Sequence, residues 1–293
     1  MTAAPDRTPD GAPAPAPGAR AAAPTARPRR HRERPAWTSY ALRTASVLAA
    51  LTAWQLLTFY DVRLWLRFDA LPTVTEVAAE LVERLGSPLF HLDLAQSLIR
   101  ILTGFGLAAV AGTVAGIALG RSRTARDLFS PLVEVVRPIP AIALVPVAIL
   151  LFPTGEQGIV FITFAAAFFP VLVSTRHAVR ALPTIWEDAL LTLGATRWTV
   201  LTRVVLPGIA PGVFGGLSVG MGVAWICVIS AEMISGRLGV GYRTWQAYTV
   251  VDYPGVFVGM LTIGLLGWLT SGAVELLGRR LTRWLPRDTE GDR

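Results

Sequence analysis

The sequence predicts an all-α integral membrane protein with six transmembrane helices, and three observations carry that prediction. Apolar residues make up 53% of the 293 residues and gather in long runs of positive hydropathy, more than the core of a water-soluble chain of this length requires. The 27 basic residues are all arginine and cluster at alternate ends of the apolar runs, the asymmetry that the positive-inside rule produces. Between the fourth and fifth runs lies TIWEDALLTLGATRWTVLTRVVLP, residues 184–207, patterned as two short helices broken at a glycine.

Residues 1–36 are rich in Ala, Pro, Arg and Thr and have no periodic apolar face, so they read as a disordered tail. Arg27, Arg29, Arg30, Arg32 and Arg34 crowd its membrane end and hold it in the cytoplasm. A second segment, 37–92, starts with an uncleaved anchor, Ala41 to Tyr60, of about the 20 residues that a bilayer core requires. It continues into an amphipathic helix outside the membrane. Thr73 and Glu76 have capping-box spacing, and Val74, Val77, Leu81 and Leu85 make an apolar stripe ending at Gly86.

The membrane core is expected over 93–278, followed by a basic cytoplasmic tail, 279–293. Ile101–Leu119 is its first span, with Gly112, Gly116 and Gly120 at every fourth residue, a spacing that allows close helix approach in lipid. Ser130–Phe152 is irregular because Pro131, Pro138, Pro140 and Pro146 interrupt it. Such broken helices occur where they are buried in protein or line a watery cavity. Glu134 and Arg137, three apart, are candidates for a structural ion pair. Gly158–Ser174, Ile209–Glu232 and Pro254–Leu277 complete the set. Residues 233–253 read as an extracytoplasmic loop. Ser230, Glu232 and Ser235, polar in apolar surroundings, are candidates to line a solute path or to act as interfacial anchors.

With the N-terminus inside, 20 arginines lie on the cytoplasmic side and six outside (Arg63, Arg67, Arg84, Arg100, Arg237, Arg243), with Arg137 in a span. Both termini and residues 184–207 are then cytoplasmic. The net charge of +7 follows from topology, and nucleic acid is not needed to explain it. The absence of lysine excludes an ordinary Walker A loop and Schiff-base chemistry. The single cysteine, Cys227, excludes an internal disulfide, and three scattered histidines (His31, His91, His177) suggest no metal site.

Within 184–207, Thr184 and Glu187 have capping-box spacing, and Trp186, Leu190 and Leu193 share a face. Gly194 ends the first helix and Thr196 caps the second, on which Trp198, Leu201 and Val205 share a face, before Pro207. This spacing resembles the cytoplasmic E-A-A-x3-G-x9-I-x-L-P loop of ABC-importer membrane subunits. Aligned on Gly194, the chain has Asp188, Ala189 and Leu190, then Val204, Leu206 and Pro207. Asp188 and Leu190 depart from the pattern, and Val204 replaces isoleucine. Supporting stretches are SLIRILTGFGLAAVAGTVAGIALG, RPIPAIALVPVAILLF and AEMISGRLGVGY. Over roughly residues 60–285 the chain is similar to type-I importer permeases of the nitrate/sulfonate/taurine group.

The resemblance implies a permease subunit of an ATP-driven importer in a bacterial plasma membrane, moving a small solute such as an anion. It implies a second permease chain in a homodimer, an ABC ATPase subunit and an extracytoplasmic solute-binding protein. ATP and magnesium are expected in the ATPase, and no cofactor on this chain. Asp188, Ala189, Gly194, Val204, Leu206 and Pro207 would form the ATPase contact, with Arg197 and Arg203 as further charges. The alternatives are an ATP-independent secondary transporter or channel, an intramembrane enzyme, and a helix-turn-helix at LGATRWTVLTRVV. No expected span holds a histidine or an acid pair for catalysis, and no soluble domain surrounds the helix-turn-helix pattern.

Overall fold

The computed structural model describes residues 36–60 and 71–284. The expected tail 1–36 (apart from Ala36), Arg63, Arg67, Arg287 and Arg293 lie outside the described residues. The chain separates into two compact units, 1–50 and 51–293. Of the first, residues 36–50 are described, and they belong to helix α1 (Ala36–Phe59).

The described residues of the second unit are helical, without strands. After the end of α1 come α2 (Val74–Leu85), α3 (Pro88–Arg121) and α4 (Arg123–Val136). A 3-10 turn (Ala141–Leu144) leads into α5 (Val145–Leu151), which is followed by α6 (Gly155–Ala181), α7 (Thr184–Thr192) and α8 (Arg197–Val200). A π-helical turn (Leu201–Val205) joins α8 to α9 (Leu206–Ser235), and α10 (Val240–Thr249) and α11 (Tyr253–Leu281) end the described chain.

Four helical stretches are long and apolar enough to cross a bilayer: α3, α6, the continuous run Arg197–Ile234 and α11. The segments Arg123–Val136 and Ala141–Leu151 qualify as a fifth only as a pair bent by 85°. The 24-residue α1 has the length but is not among the helices of sufficient apolarity; Arg43 and Gln55 interrupt its apolar run. The expected sixth span is therefore absent from this set.

Three boundaries differ from expectation, each for a local reason. The second expected span starts at Pro88 rather than Ile101, because proline is favoured in the first helical turn and Ser87 before it is extended. The third does not run straight from Ser130: Pro131 is accommodated inside α4, and the break falls at 137–140. There Pro138 and Pro140 remove amide donors and disfavour helical backbone in the residues before them. The expected loop 233–253 is largely helical, as the end of α9 and the whole of α10.

Helix α6 is packed against α3 and α9 through small residues. A Cβ at Gly104 would lie 2.7 Å from Thr163 Cβ, at Gly116 2.6 Å from Thr175 Cβ, and at Gly120 2.6 Å from Val179 Cγ1. On the other side of α6, Gly212 abuts Ala178 and Gly216 abuts Ser174. The four-residue spacing in α3 is thus matched by the four-residue spacing of the α6 residues that meet it, and backbones approach where a larger side chain would hold them apart. Ile101, Phe105, Ala108, Ile159, Ile162, Met221 and Trp225 fill the adjoining core.

Helix α2 has the expected capping box: Thr73 Oγ1 accepts from the Glu76 amide at 3.2 Å, and the Thr73 amide donates to Glu76 Oε2 at 2.8 Å. Val77 of its apolar stripe is buried against Phe90 and Val258. Arg84 donates to Asp252 at 2.7 Å and so ties α2 to the start of α11.

Gly116→Leu is expected to destabilise the protein by about 1–3 kcal/mol, because the added side chain enters a filled seam. Gly106→Leu, where a Cβ meets nothing within 4 Å, should leave stability nearly unchanged. Thermal unfolding of the two variants in detergent compares them directly.

Candidate functional site

Residues 184–207 form a platform fixed on one side and open on the other. Helix α7 begins after Pro183 without a side-chain cap, so the expected Thr184–Glu187 capping box does not form. The Glu187 carboxylate instead takes both terminal nitrogens of Arg121, at 2.8 and 2.9 Å. This bidentate pair joins α7 to the last residue of α3. Gly194 has φ of +81°, a left-handed backbone that only glycine adopts without strain. The chain turns there, and the Ala195 amide donates to the Leu190 carbonyl at 3.0 Å. Thr196 caps α8 as expected, accepting from the Thr199 amide at 3.2 Å.

The second helix of the pair is not separate from the span after it. It passes through the π turn into α9, and Pro207 lies in the first turn of α9 rather than closing the unit. A π turn is the usual local adjustment where the helical ladder is disturbed; Pro207 has no amide to donate to it.

Neither expected apolar face is buried as a whole. Leu190, Leu201 and Val205 pack inwards with Val200, Ile209 and Val179, whereas Leu193 is 82% and Trp198 71% exposed. Ile185, Trp186 and Leu191 are exposed as well. Of the residues singled out for partner contact, Asp188, Ala189, Gly194 and Leu206 are exposed, and Val204 and Pro207 are half-buried. Val204 and Pro207 share a cavity of about 570 Å³ with Trp186, Arg203 and Trp284. The other four do not line it.

At the break between α4 and α5 a second cavity, about 530 Å³, opens against α6 and α9. Arg137 and Cys227 are on its wall. Glu134 and Arg137 are both exposed and form no ion pair with each other among the described residues. The helix ends at Val136, so Arg137 sits at the break and faces the cavity.

The elements meet again at a buried polar cluster. Arg100 on α3 is 1% exposed and Glu232 on α9 0%. Arg100 Nη1 donates to Glu232 Oε1 at 2.8 Å and to the Leu238 carbonyl at 2.6 Å. Its Nε donates to Glu156 Oε2 at 2.7 Å and Nη2 to the other oxygen of Glu156, at the start of α6. Ser97 and the Gly241 amide donate to Glu232. Beside them Asp93 accepts from the Gly239 amide at 2.9 Å and from Arg243 Nε at 2.8 Å. Gly239 has φ of +123°, and a Cβ there would lie 2.5 Å from Glu232 Oε1. Buried charges are tolerable only when their donors and acceptors are satisfied in this way.

Glu232, singled out from the sequence for a solute path, is therefore internal and paired. Ser230 is half-buried and donates to the Ile226 carbonyl at 2.8 Å. Ser235 is the last residue of α9, and its side chain lies outside the described residues. Arg100, expected among the outside arginines, lies well inside α3 and is buried. The signal available was an arginine and a glutamate, each within an apolar run, since charges in such runs are usually paired.

Four long apolar helices and a bent helix pair, with an anchored loop that displays apolar side chains, are the make-up of a polytopic membrane protein. The family of binding-protein-dependent transport system inner membrane components matches residues 101–283, and the chain belongs to that family. The taurine transport system permease protein TauC of Escherichia coli is 34% identical over 191 residues, covering 65% of this chain and 70% of the relative. The nitrate import permease protein NrtB of Leptolyngbya laminosa is 29% identical over 189 residues, 64% of this chain and 68% of the relative. Among solved structures, a chain of the MetNI methionine ABC transporter in inward-facing conformations is similar with a TM-score of 0.53 at 19% identity. That similarity covers 68% of this chain and 97% of the other, and it is one of fold. The chain is thus a transport subunit and not an enzyme.

Arg100→Met leaves Glu232 buried without its cation and is expected to cost about 3–5 kcal/mol. Arg100→Met combined with Glu232→Met should recover much of the loss. Thermal unfolding in detergent reads both, and a single variant as stable as wild type contradicts the assignment.

Proposed function

We propose that the chain is the permease subunit of an ATP-driven importer for a small anion of the taurine/nitrate type, and that residues 184–207 dock on a separate ABC ATPase. The observation that carries this reading is the two-sided loop. Its inner side is held by Val200, Val205 and the Arg121–Glu187 pair, while Ile185, Trp186, Leu191, Leu193 and Trp198 are exposed. A short helix with free apolar side chains suits the helix-in-groove mode of recognition. Because α8 runs unbroken into α9 and Arg121 ends α3, a displacement of the loop would be passed to both helices. ATP can drive a change in the spans only through different affinities of the ATPase for two loop positions.

In this reading six spans cross the membrane, with α1 as the first, and both termini are cytoplasmic. A second copy of the chain completes the path, and an extracytoplasmic binding protein delivers the solute. ATP and magnesium bind the ATPase. Asp188, Ala189, Gly194, Val204, Leu206 and Pro207 are the proposed docking residues, and the substrate class is supported by the names of the relatives.

The test is co-purification of the chain with a candidate ABC ATPase subunit from the same organism. Proline holds φ near −65° and cannot adopt the +81° of Gly194. Gly194→Pro should therefore insert into the membrane but lose the ATPase, whereas wild type retains it. A wild-type chain that retains no ABC ATPase contradicts the proposal.

A further inference from the structure

The cavity at the break between α4 and α5 is not explained by docking or by the buried cluster. Its wall is formed by the turn after α4, by α6 and by α9, and most of the lining side chains are apolar, among them Phe169, Val173 and Val223. Two polar side chains stand out on that wall, Arg137 and Ser174. No carboxylate lines it. Among the described residues the Arg137 guanidinium has no ion-pair or hydrogen-bond partner, in contrast to Arg84, Arg100, Arg121 and Arg243.

Arg137 is exposed and lies on the wall of an apolar cavity, and arginines beside apolar spans face water-filled cavities or ligands. Its position is also defined by the chain. Arg137 is the residue after α4, and Pro138 and Pro140 prevent the helix from continuing. Discontinuous helices in transporters place polar groups beside a solute in this manner. A guanidinium offers a planar fork of N–H donors that fits two oxygens of one anion. A cation in the same cavity would meet a like charge and no acid.

Resting on the permease reading above, we propose that this cavity is a small-oxyanion site in the translocation path, with Arg137 as its cationic contact and Ser174 as a second polar contact. The ligand class is a sulfonate, nitrate, carboxylate or bicarbonate of a few heavy atoms. A net-anionic lipid headgroup has the same chemistry, and the experiment separates the two sources.

The full transporter, this chain with its ATPase and its binding protein, is reconstituted in phosphatidylcholine vesicles, and in a second set containing phosphatidylglycerol. Uptake of labelled taurine, nitrate and bicarbonate is measured. Wild type is expected to carry at least one of them. Arg137→Gln should lower its initial uptake rate about tenfold or more, the effect of losing a charge-assisted hydrogen bond, while the amount of assembled complex is unchanged. Arg137→Lys should keep part of the rate. Val219→Asp, which puts a carboxylate on the cavity wall at an exposed position, should abolish uptake, and Val219→Asn should not.

Arg137→Gln transporting at the wild-type rate overturns this proposal and leaves the permease reading intact. A defect confined to the phosphatidylglycerol vesicles assigns Arg137 to lipid headgroups and overturns it too. If Arg137→Gln fails to assemble, Val219→Asp decides, and uptake at the wild-type rate there overturns the site. A wild-type transporter that carries none of the three anions removes the anion reading on which the site rests.

Discussion

Two helices in hydrocarbon gain nothing by hiding apolar surface from each other, because the lipid tails are equally apolar. What can hold α6 between α3 and α9 is close packing, and that depends on residues too small to keep the backbones apart. Gly104, Gly116 and Gly120 on α3 and Gly212 and Gly216 on α9 meet α6 on its two sides. With α6 clamped, its first turn brings Glu156 to Arg100, and its last turns bring Val179 to Val200 and Val205. The polar cluster and the anchored loop are thus both positioned from one packed seam.

The charges of this chain are then divided by burial. Arg100 and Glu232 are removed from solvent and satisfied on every side, which suits a fixed joint between α3, α6, α9 and the start of α10. Arg121 and Glu187 are partly exposed, at 33% and 23% of their side chains, and an exposed pair contributes little to stability, about 0–1 kcal/mol. Its consequence is geometric, since a bidentate contact fixes the orientation of α7 relative to the end of α3. Arg137 belongs to neither group and faces a cavity.

Much of the helical architecture was legible in the sequence because it depends on local rules. The Thr73–Glu76 box, the Gly194 turn and the Thr196 cap require only a few neighbouring residues. Glycine spacing in α3 showed which face could pack closely. The rest depends on contacts between distant segments. Arg100 and Glu232 lie 132 residues apart, and no periodicity joins them. Glu187 had a local use in the Thr184 box and a distant one with Arg121, and the charged, bidentate partner prevailed. Spacing alone suggested a Glu134–Arg137 pair, but both side chains are exposed and Arg137 lies on the cavity wall instead. Six apolar runs were readable, but the 85° bend in one and the lower apolarity of α1 separate them from six equivalent spans.

The central claim is that movement of solute through this chain is driven from the loop at 184–207 by a separate ATPase. The most direct measurement is uptake of labelled taurine and nitrate by vesicles containing the chain, with binding protein present and the ATPase and ATP each supplied or omitted. The account predicts accumulation only when both are supplied. Accumulation by the chain without the ATPase would contradict it and would make the chain a self-sufficient transporter.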